Sequence, residues 1–360
     1  MKPLNILVLS HTGAFSHFKI GSHHYASKLS DKGNNVYYSG VPQSYLHKLL
    51  RRKVSGSYKL NNKVSLFNFP AIFPITLRNY VVNTLINKLY CSLAFKSKID
   101  FDLVICDYPF FLPFLNQISY QCLVYRPTDD YVSMAGNKVS YYERKIIHLA
   151  SKIICTSSIV KDCIISRYTP KDLSQIYVVE NGYDSDLFCL KKTHARKNCI
   201  YVGSLDERFS FDDLYFFAKK FPNVIFDIYG PLSEQAVKFR DVNLLNNINF
   251  KGAIDYSQVP DVMNQYRIGL LPLTNIDSNK GRSPMKLWEY YSCGLNVVYS
   301  NISHIKSKLF YGYDSESREN MIEVFQYALM NSRDYSTFDN CLLENSWDFK
   351  VEHLIRICRE

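Results

Sequence analysis

The sequence predicts an α/β protein made of two successive doubly wound domains, and three observations carry that prediction. Apolar runs of strand length recur along the 360 residues and alternate with stretches of helical period. The runs lack strict in–out alternation, so the strands are expected to be covered on both faces, as in a parallel sheet with helices between its strands. A polar, basic stretch at 191–198 divides the series in two. The length suits two domains of roughly 100–200 residues, each with its own core.

The elements follow in order. Residues 4–9 read as the first strand and are too few for a signal-peptide core. Residues 21–32 place Tyr25, Ala26 and Leu29 on one helical face and stop at Gly33, a suitable C-cap. His23 and His24 fall at the start of this helix and read as exposed and incidental. Further strands are expected at 103–106, 122–125, 152–156 and 178–181. Beyond the basic stretch, strands are expected at 199–202, 224–229, 249–250, 268–271 and 295–299. Helices should lie near 211–220, 257–265, 284–292 and 317–331. The expected division is a first domain over 1–190, a second over 191–340, and a C-terminal helix within 341–360 that packs back on the first domain. In such folds ligands sit at the carboxyl ends of the strands, here in a cleft between the lobes.

Composition narrows the class. With 47% hydrophobic and 21% charged residues, the chain is too apolar to be disordered. Its apolar stretch 67–77 is interrupted by Asn68, Pro70 and Pro74 and stopped by Arg78. That is short of the about 18 uninterrupted residues that span a bilayer. The ten cysteines form no C-x-x-C pair, and Cys106, Cys122 and Cys155 lie inside apolar strands. They read as small buried hydrophobes of a reducing cytoplasm, with no zinc or disulfide framework. The net charge of +10 is uneven: residues 1–175 hold 22 Lys and Arg against 9 Asp and Glu, whereas 176–360 hold 21 against 24. Residues 33–99 hold 10 Lys and Arg and no acid. A lobe so biased is expected to face an anionic surface. The residues expected there are Lys48, Arg51, Arg52, Lys53, Lys59 and Lys63, then Phe67, Phe69, Ile72 and Phe73. A helix-like run from Tyr80 to Phe95 follows, with Val81, Leu85, Leu89 and Leu93 at helical spacing. No nucleic-acid reading motif accompanies the charge, so nucleic acid is not an expected partner.

The stretch 280–294 is the most informative. Ser283 followed by Pro284 has the grammar of a helix start, Ser as N-cap and Pro at the first helical position, and Cys293-Gly294 ends the helix. Lys280, Arg282 and Lys286 crowd that N-terminus, where the helix dipole already disfavours cations by about 0.3–1 kcal/mol each. An anion docked on the backbone N–H groups would account for them. The plain alternative is a solvated basic loop. Glu289 shares a face with Lys286 and could accept from sugar hydroxyls. Gly203-Ser204 forms a small-residue turn at the end of strand 199–202, where a diphosphate could approach the backbone, and Gly252 marks a similar turn.

These segments together resemble a GT-B glycosyltransferase, and more narrowly the GumK-type glucuronosyltransferases of xanthan and related exopolysaccharide assembly (glycosyltransferase family 70). The resemblance runs from about residue 100 to 300. It is carried by 123–129 (Leu-Val-Tyr-Arg-Pro-Thr-Asp), 180–184 (Glu-Asn-Gly-Tyr-Asp), Leu187-Phe188, 202–205, 221–226, 267–272 and 283–290. It implies Asp129 as catalytic base and Lys286 as the residue that neutralises the donor diphosphate, with Ser283 and Met285 beside it. Glu289 falls on the ribose-binding position. Leu205 and Ile254 replace Met residues that wall the nucleotide and Leu273 replaces a Tyr, substitutions that keep that pocket apolar.

The chemistry these residues would support is direct. An acceptor hydroxyl loses its proton to one carboxylate as it attacks the anomeric carbon. Lys286 and a helix N-terminus stabilise the leaving nucleotide diphosphate without a metal. Asp130 is the rival base. The expected function is an inverting, metal-independent transfer of a sugar, glucuronic acid from UDP-glucuronic acid as the best guess. The acceptor would be a polyprenyl-diphosphate-linked oligosaccharide in capsule or exopolysaccharide assembly, with the protein held peripherally on the cytoplasmic face of the inner membrane. No cofactor is expected. Two alternatives stand beside it: a GT-B-fold sugar-nucleotide 2-epimerase, and a non-catalytic scaffold of a polysaccharide-assembly complex. Asp184-Ser-Asp186 has the look of a metal-binding D-x-D but reads as structural. Glu143 and Arg144 read as a solvated or interlobe pair.

Overall fold

The computed structural model describes residues 2–16, 18–49, 58–60, 63–75, 80–95, 99–191, 196–305, 307–331 and 338–360. The strands are β1 Asn5–Leu9, β2 Phe15–Ser16, β3 Asn35–Ser39, β4 Tyr58–Lys59, β5 Ser65–Leu66, β6 Asp100–Cys106, β7 Ser119–Tyr125, β8 Lys152–Cys155 and β9 Ile176–Val178. After them come β10 Lys197–Val202, β11 Phe226–Tyr229, β12 Ile248–Gly252, β13 Tyr266–Leu271, β14 Asn296–Tyr299 and β15 Tyr311–Gly312. The helices are α1 Gly21–Asp31, α2 Tyr45–Leu49, α3 Tyr80–Ala94, α4 Leu112–Leu115, α5 Tyr131–Ala135, α6 Ser140–Leu149, α7 Ser158–Tyr168 and α8 Phe211–Lys220. They continue with α9 Glu234–Val242, α10 Val259–Met263, α11 Asp277–Lys280, α12 Met285–Ser292, α13 Arg318–Met330, α14 Phe338–Glu344 and α15 Trp347–Arg359.

Two units result: Met1–Glu180 with Trp347–Glu360, and Asn181–Ser346. The first is built on a parallel sheet of order β5-β3-β1-β6-β7-β8-β9, beside which β2 and β4 pair antiparallel. The second has a parallel sheet of order β12-β11-β10-β13-β14-β15. Both are the two-faced, helix-covered sheets that the uninterrupted apolar runs call for. Residues 6–9 of β1 and all of β14 are buried. Serines punctuate the chain as expected of N-caps: Ser157, Ser210, Ser233 and Ser317 accept from backbone N–H groups opening α7, α8, α9 and α13.

The boundary falls before the expected 190, because the segment from 181 is bonded to the second unit. Asn181 donates through its backbone N–H to Ser283 Oγ at 2.9 Å and through Nδ2 to Ser283 O at 2.8 Å. Tyr183 N–H donates to Asn345 O, and Phe188 is buried in the second core. At the other end, α15 belongs to the first unit. Trp347 stacks on His24 at 4.9 Å, and Lys28 and Lys32 pair with Asp348 and Glu352 at 2.7 and 2.6 Å.

Four local expectations change. His23 and His24 are buried, not exposed; His23 Nδ1 accepts from Ile20 N–H at 3.2 Å, Nε2 bonds Gly13 O at 2.9 Å, and the ring stacks on Tyr38. The helix N-terminus thus uses a histidine where no side-chain cap is present. Glu143 is not solvated. It is buried between the hydroxyls of Tyr125 and Tyr168, which donate to it at 2.6 and 2.7 Å, and burial pushes its carboxyl up. The last strand of the first sheet is Ile176–Val178, earlier than expected, and its final ladder bond to β8 runs from Val179 N–H to Cys155 O, the last residue of β8. Asn35–Ser39 and Glu234–Val242 are elements beyond those expected.

Candidate functional site

At the carboxyl edge of the first sheet, Cys106 and Tyr125 are register partners, and the residues that follow them face each other. Asp107 and Arg126 form a fully buried ion pair at 2.7 Å. Burial pushes the Asp107 carboxyl up to about 6, against the pull of Arg126. The loop beyond Arg126 is held at several points. Thr156 Oγ1 donates to Thr128 O at 2.8 Å, and the Tyr131 hydroxyl lies 2.9 Å from Thr128 Oγ1 and donates to Asp107 O. Asp129 sits in this loop, half-buried, with the Thr128 hydroxyl donating to its Oδ2 at 3.0 Å.

The neighbouring Asp130 has a different task. It caps α5 by accepting from the N–H groups of Val132 and Ser133, and both its oxygens bond the Arg167 guanidinium. Burial works to raise its carboxyl, but Arg167 and Ser133 together hold it below the usual range. The two adjacent aspartates are thereby sorted, one into structure and one left available.

A third group was not singled out in the sequence. His11, in the loop after β1, feels the charges of both Asp129 and Arg126, and its ring lies 5.9 Å from Tyr108. Desolvation lowers its pKa, the Asp129 carboxylate opposes this, and Arg126 adds to it. The available signal was a histidine directly beyond the end of the first strand, a position that doubly wound folds give to ligands.

In the second unit, the ends of β10, β11 and β12 crowd together. Gly203 N–H donates to Tyr229 O, and Gly230 N–H donates to Gly252 O at 2.8 Å. A side chain at Gly230 would meet Gly203 O at 1.9 Å, so the approach of the two turns requires glycine. Ser204 O accepts from the Tyr201 hydroxyl at 2.7 Å. Leu205 and Leu273 are buried in the second core, while Ile254 packs on it half-exposed. Leu273 reaches the strand ends through Ser300, whose Oγ bonds both its N–H and its carbonyl.

Helix α12 is fixed beneath β10 and β13. The Tyr290 hydroxyl accepts from Val202 N–H at 2.9 Å, and the ring lies so close over β13 that a Cβ on Gly269 would stand 2.4 Å from it. Ser283 is not the N-cap, because its hydroxyl is taken by Asn181 N–H; Pro284 holds that position, and no side chain caps the helix. The first turn, with Met285 at its start, therefore keeps uncapped N–H groups. Lys286 and Glu289 pair with each other along one face; Glu289 is fully buried, and the Tyr256 hydroxyl lies 3.4 Å from its other oxygen.

The basic loop before α12 is organised by one side chain. Buried Asn279 donates to Arg208 O, Thr274 O and Thr274 Oγ1, tying 274–279 to the loop after β10. Lys280 is exposed and pairs with Asp277 at 2.7 Å. Arg282 and Arg208 both act on Tyr201 and Asp206, so the two guanidinium groups share one neighbourhood. Arg208 was missed in the sequence, where it appears only as one basic residue beside Asp206 and Glu207. Among the described residues no group of three His, Cys, Asp or Glu is arranged to hold a metal. The structure thus gathers Gly203, Ser204, Arg208, Arg282 and the α12 N-terminus by the strand ends of one unit, and His11 and Asp129 at those of the other.

Residues 196–315 match the family described as Glycosyl transferases group 1. The Bacillus subtilis (strain 168) protein TuaH, named as a teichuronic acid biosynthesis glycosyltransferase, is 25% identical over 189 residues, 48% of this chain and 47% of its own length. The match therefore spans about half of that relative. Among solved structures, Anabaena Alr3699/HepE in complex with UDP and glucose has a TM-score of 0.62 at 12% identity, over 99% of this chain and 97% of its own. A trehalose-6-phosphate synthase studied for glycosyl transfer with retention has a TM-score of 0.69 at 11% identity, over 98% of each chain. The chain has the GT-B fold of glycosyltransferases, and residues 196–315 carry the group 1 glycosyl transferase pattern within it.

Proposed function

We propose that this protein is a glycosyltransferase that takes a sugar from a UDP-sugar donor and adds it to a polyprenyl-diphosphate-linked oligosaccharide at the cytoplasmic face of the inner membrane. The observation that carries the reading is a coincidence of place. The segment matching the group 1 family is the one whose strand-end glycines, arginines and uncapped α12 N-terminus suit a diphosphate. UDP bound by a structural neighbour supports the donor class, and the relative named for teichuronic acid supports a uronic acid, hence UDP-glucuronic acid. Asp129 takes the proton of the acceptor hydroxyl, and its carboxylate is not committed to a cap or an ion pair as Asp130 is. Lys286 moves from Glu289 to the departing diphosphate, and the helix dipole adds to the field there. Among the basic residues assigned to the membrane, 51–53 lie outside the described residues, as do the side chains of Lys48 and Lys59. Phe67 and Phe69, expected at that surface, are buried in the first core.

A single base and direct displacement invert the anomeric centre. The second reading, retention, draws on the trehalose-6-phosphate synthase neighbour. Thermal-shift screening against a panel of nucleotide sugars, followed by NMR of the product anomer with and without EDTA, tests all of this. A UDP-sugar should raise the melting temperature, and transfer should survive chelation with inversion. A retained anomer would remove Asp129 from the base role, and failure to bind any nucleotide sugar would overturn the enzyme reading.

A further inference from the structure

Helix α3 is built inside out. Its polar residues face the protein: buried Asn87 accepts from Ile72 N–H at 2.9 Å and Phe73 N–H at 3.0 Å and donates to Phe73 O at 2.8 Å. Asn83 and Cys91 are buried as well, and Thr84 bonds the hydroxyl of Tyr142. Its aliphatic residues face outward, Val82 57%, Leu85 63%, Leu89 64% and Leu93 77% exposed. Positions 82, 85, 89 and 93 form one stripe along a helix, and a helix on an ordinary water-facing surface has the opposite arrangement. Beside it, the Tyr90 hydroxyl donates to that of Tyr45 on α2, whose Leu49 is also exposed.

The chemistry of the partner follows from charge. Lys88 is the one charged residue within α3, and it lies in the stretch 33–99 that holds 10 cations and no acid. An apolar ridge on a helix whose one charge is an exposed lysine, in a stretch of sequence without acids, matches a surface that offers both hydrocarbon and negative charge, which is an anionic lipid leaflet. The helix has 15 residues, about 22 Å long, and is apolar on one outward face, so it lies in the plane. No helix among the described residues is long and apolar enough to cross a membrane.

We infer that α3 is an in-plane membrane anchor: Val82, Leu85, Leu89 and Leu93 sink to the acyl boundary while Lys88, exposed on the same helix, meets the headgroups. The choice of partner rests on the lipid-linked acceptor proposed above. The full chain is tested by co-sedimentation with phosphatidylglycerol–phosphatidylethanolamine vesicles and with phosphatidylcholine vesicles. Binding should be selective for the anionic vesicles and weaken with salt. L85S/L89S/L93S should bind them at least about tenfold more weakly, with UDP affinity unchanged. Since Trp288 and Trp347 are both buried, an L89W variant reports separately. Its emission should shift to the blue with anionic vesicles and be quenched by brominated acyl chains. Wild-type-like vesicle binding by the triple variant, or an L89W indole that stays in water, overturns the anchor. So does a wild-type dimer that the triple variant dissociates while vesicle binding is unaltered, which would give the stripe to a second copy. Vesicle binding that persists in a protein unable to bind any nucleotide sugar would sink the transferase reading and leave the anchor standing.

Discussion

Removing Lys286 should damage two properties at once, and they can be separated. Glu289 is fully buried on α12, and its counter-charge is the Lys286 ammonium, whose side chain is 21% exposed. Lys286→Ala leaves the carboxylate with the Tyr256 hydroxyl at 3.4 Å as its described side-chain partner. Breaking a buried pair by deleting one member costs about 3–5 kcal/mol, and the partial exposure of Lys286 places this case near the lower end. For a domain of this size, about 3 kcal/mol corresponds to a fall of roughly 6–12 °C in melting temperature. UDP binding should weaken separately by about 1.5–3 kcal/mol, the size of a charge-assisted hydrogen bond. The control is K286M/E289Q, which replaces the pair by neutral groups of similar shape. Stability should return to within about 1 kcal/mol of wild type, because no charge is left buried alone. UDP affinity should stay low. Calorimetric melting and isothermal titration with UDP measure both. If K286A melts like wild type, the pair is not load-sharing as argued; if K286M/E289Q binds UDP like wild type, Lys286 does not meet the diphosphate.

Three further outcomes are expected. Asp129→Asn should lower turnover by about 10²–10⁴ with UDP binding within a few-fold, whereas Asp130→Asn should mainly lower stability, by about 1–3 kcal/mol, through its cap and Arg167; steady-state rates and melting curves exchange the assignments if the pattern is reversed. Burial holds the His23 pKa down to about 4, and the ring is neutral because Nδ1 accepts from Ile20 N–H. A depressed folded-state value means full stability above the unfolded value near 6.5 and a progressive loss toward pH 4, about 3 kcal/mol in total. His23→Gln should flatten that limb of the stability–pH curve, and an unaltered slope would clear the histidine. Gly269→Ala should cost about 3 kcal/mol or more and loosen α12, since the new methyl would overlap the Tyr290 ring; a neutral melting temperature would show that the ring can move aside.

Much of the fold was legible because it depends on local patterns. Apolar runs such as 103–106 and 268–271, without in–out alternation, read as strands covered on both sides, and a serine just before a helical stretch, such as Ser210, is a cap that needs no tertiary contact. The crowding of cations at 280–286 against the local dipole of a helix that begins there was legible for the same reason. What tertiary structure alone decided was the use of each polar side chain. Ser283 lost the cap to Asn181, which is distant in the chain. Asp130 was set apart from Asp129 by Arg167, and His11 and Arg208 acquired neighbours that no spacing announces. The inversion of α3 is the clearest case. Its sequence period predicts a helix, but a period has no sign, and only the bonds of Asn87 to the backbone at Ile72 and Phe73 determine that the leucines turn outward.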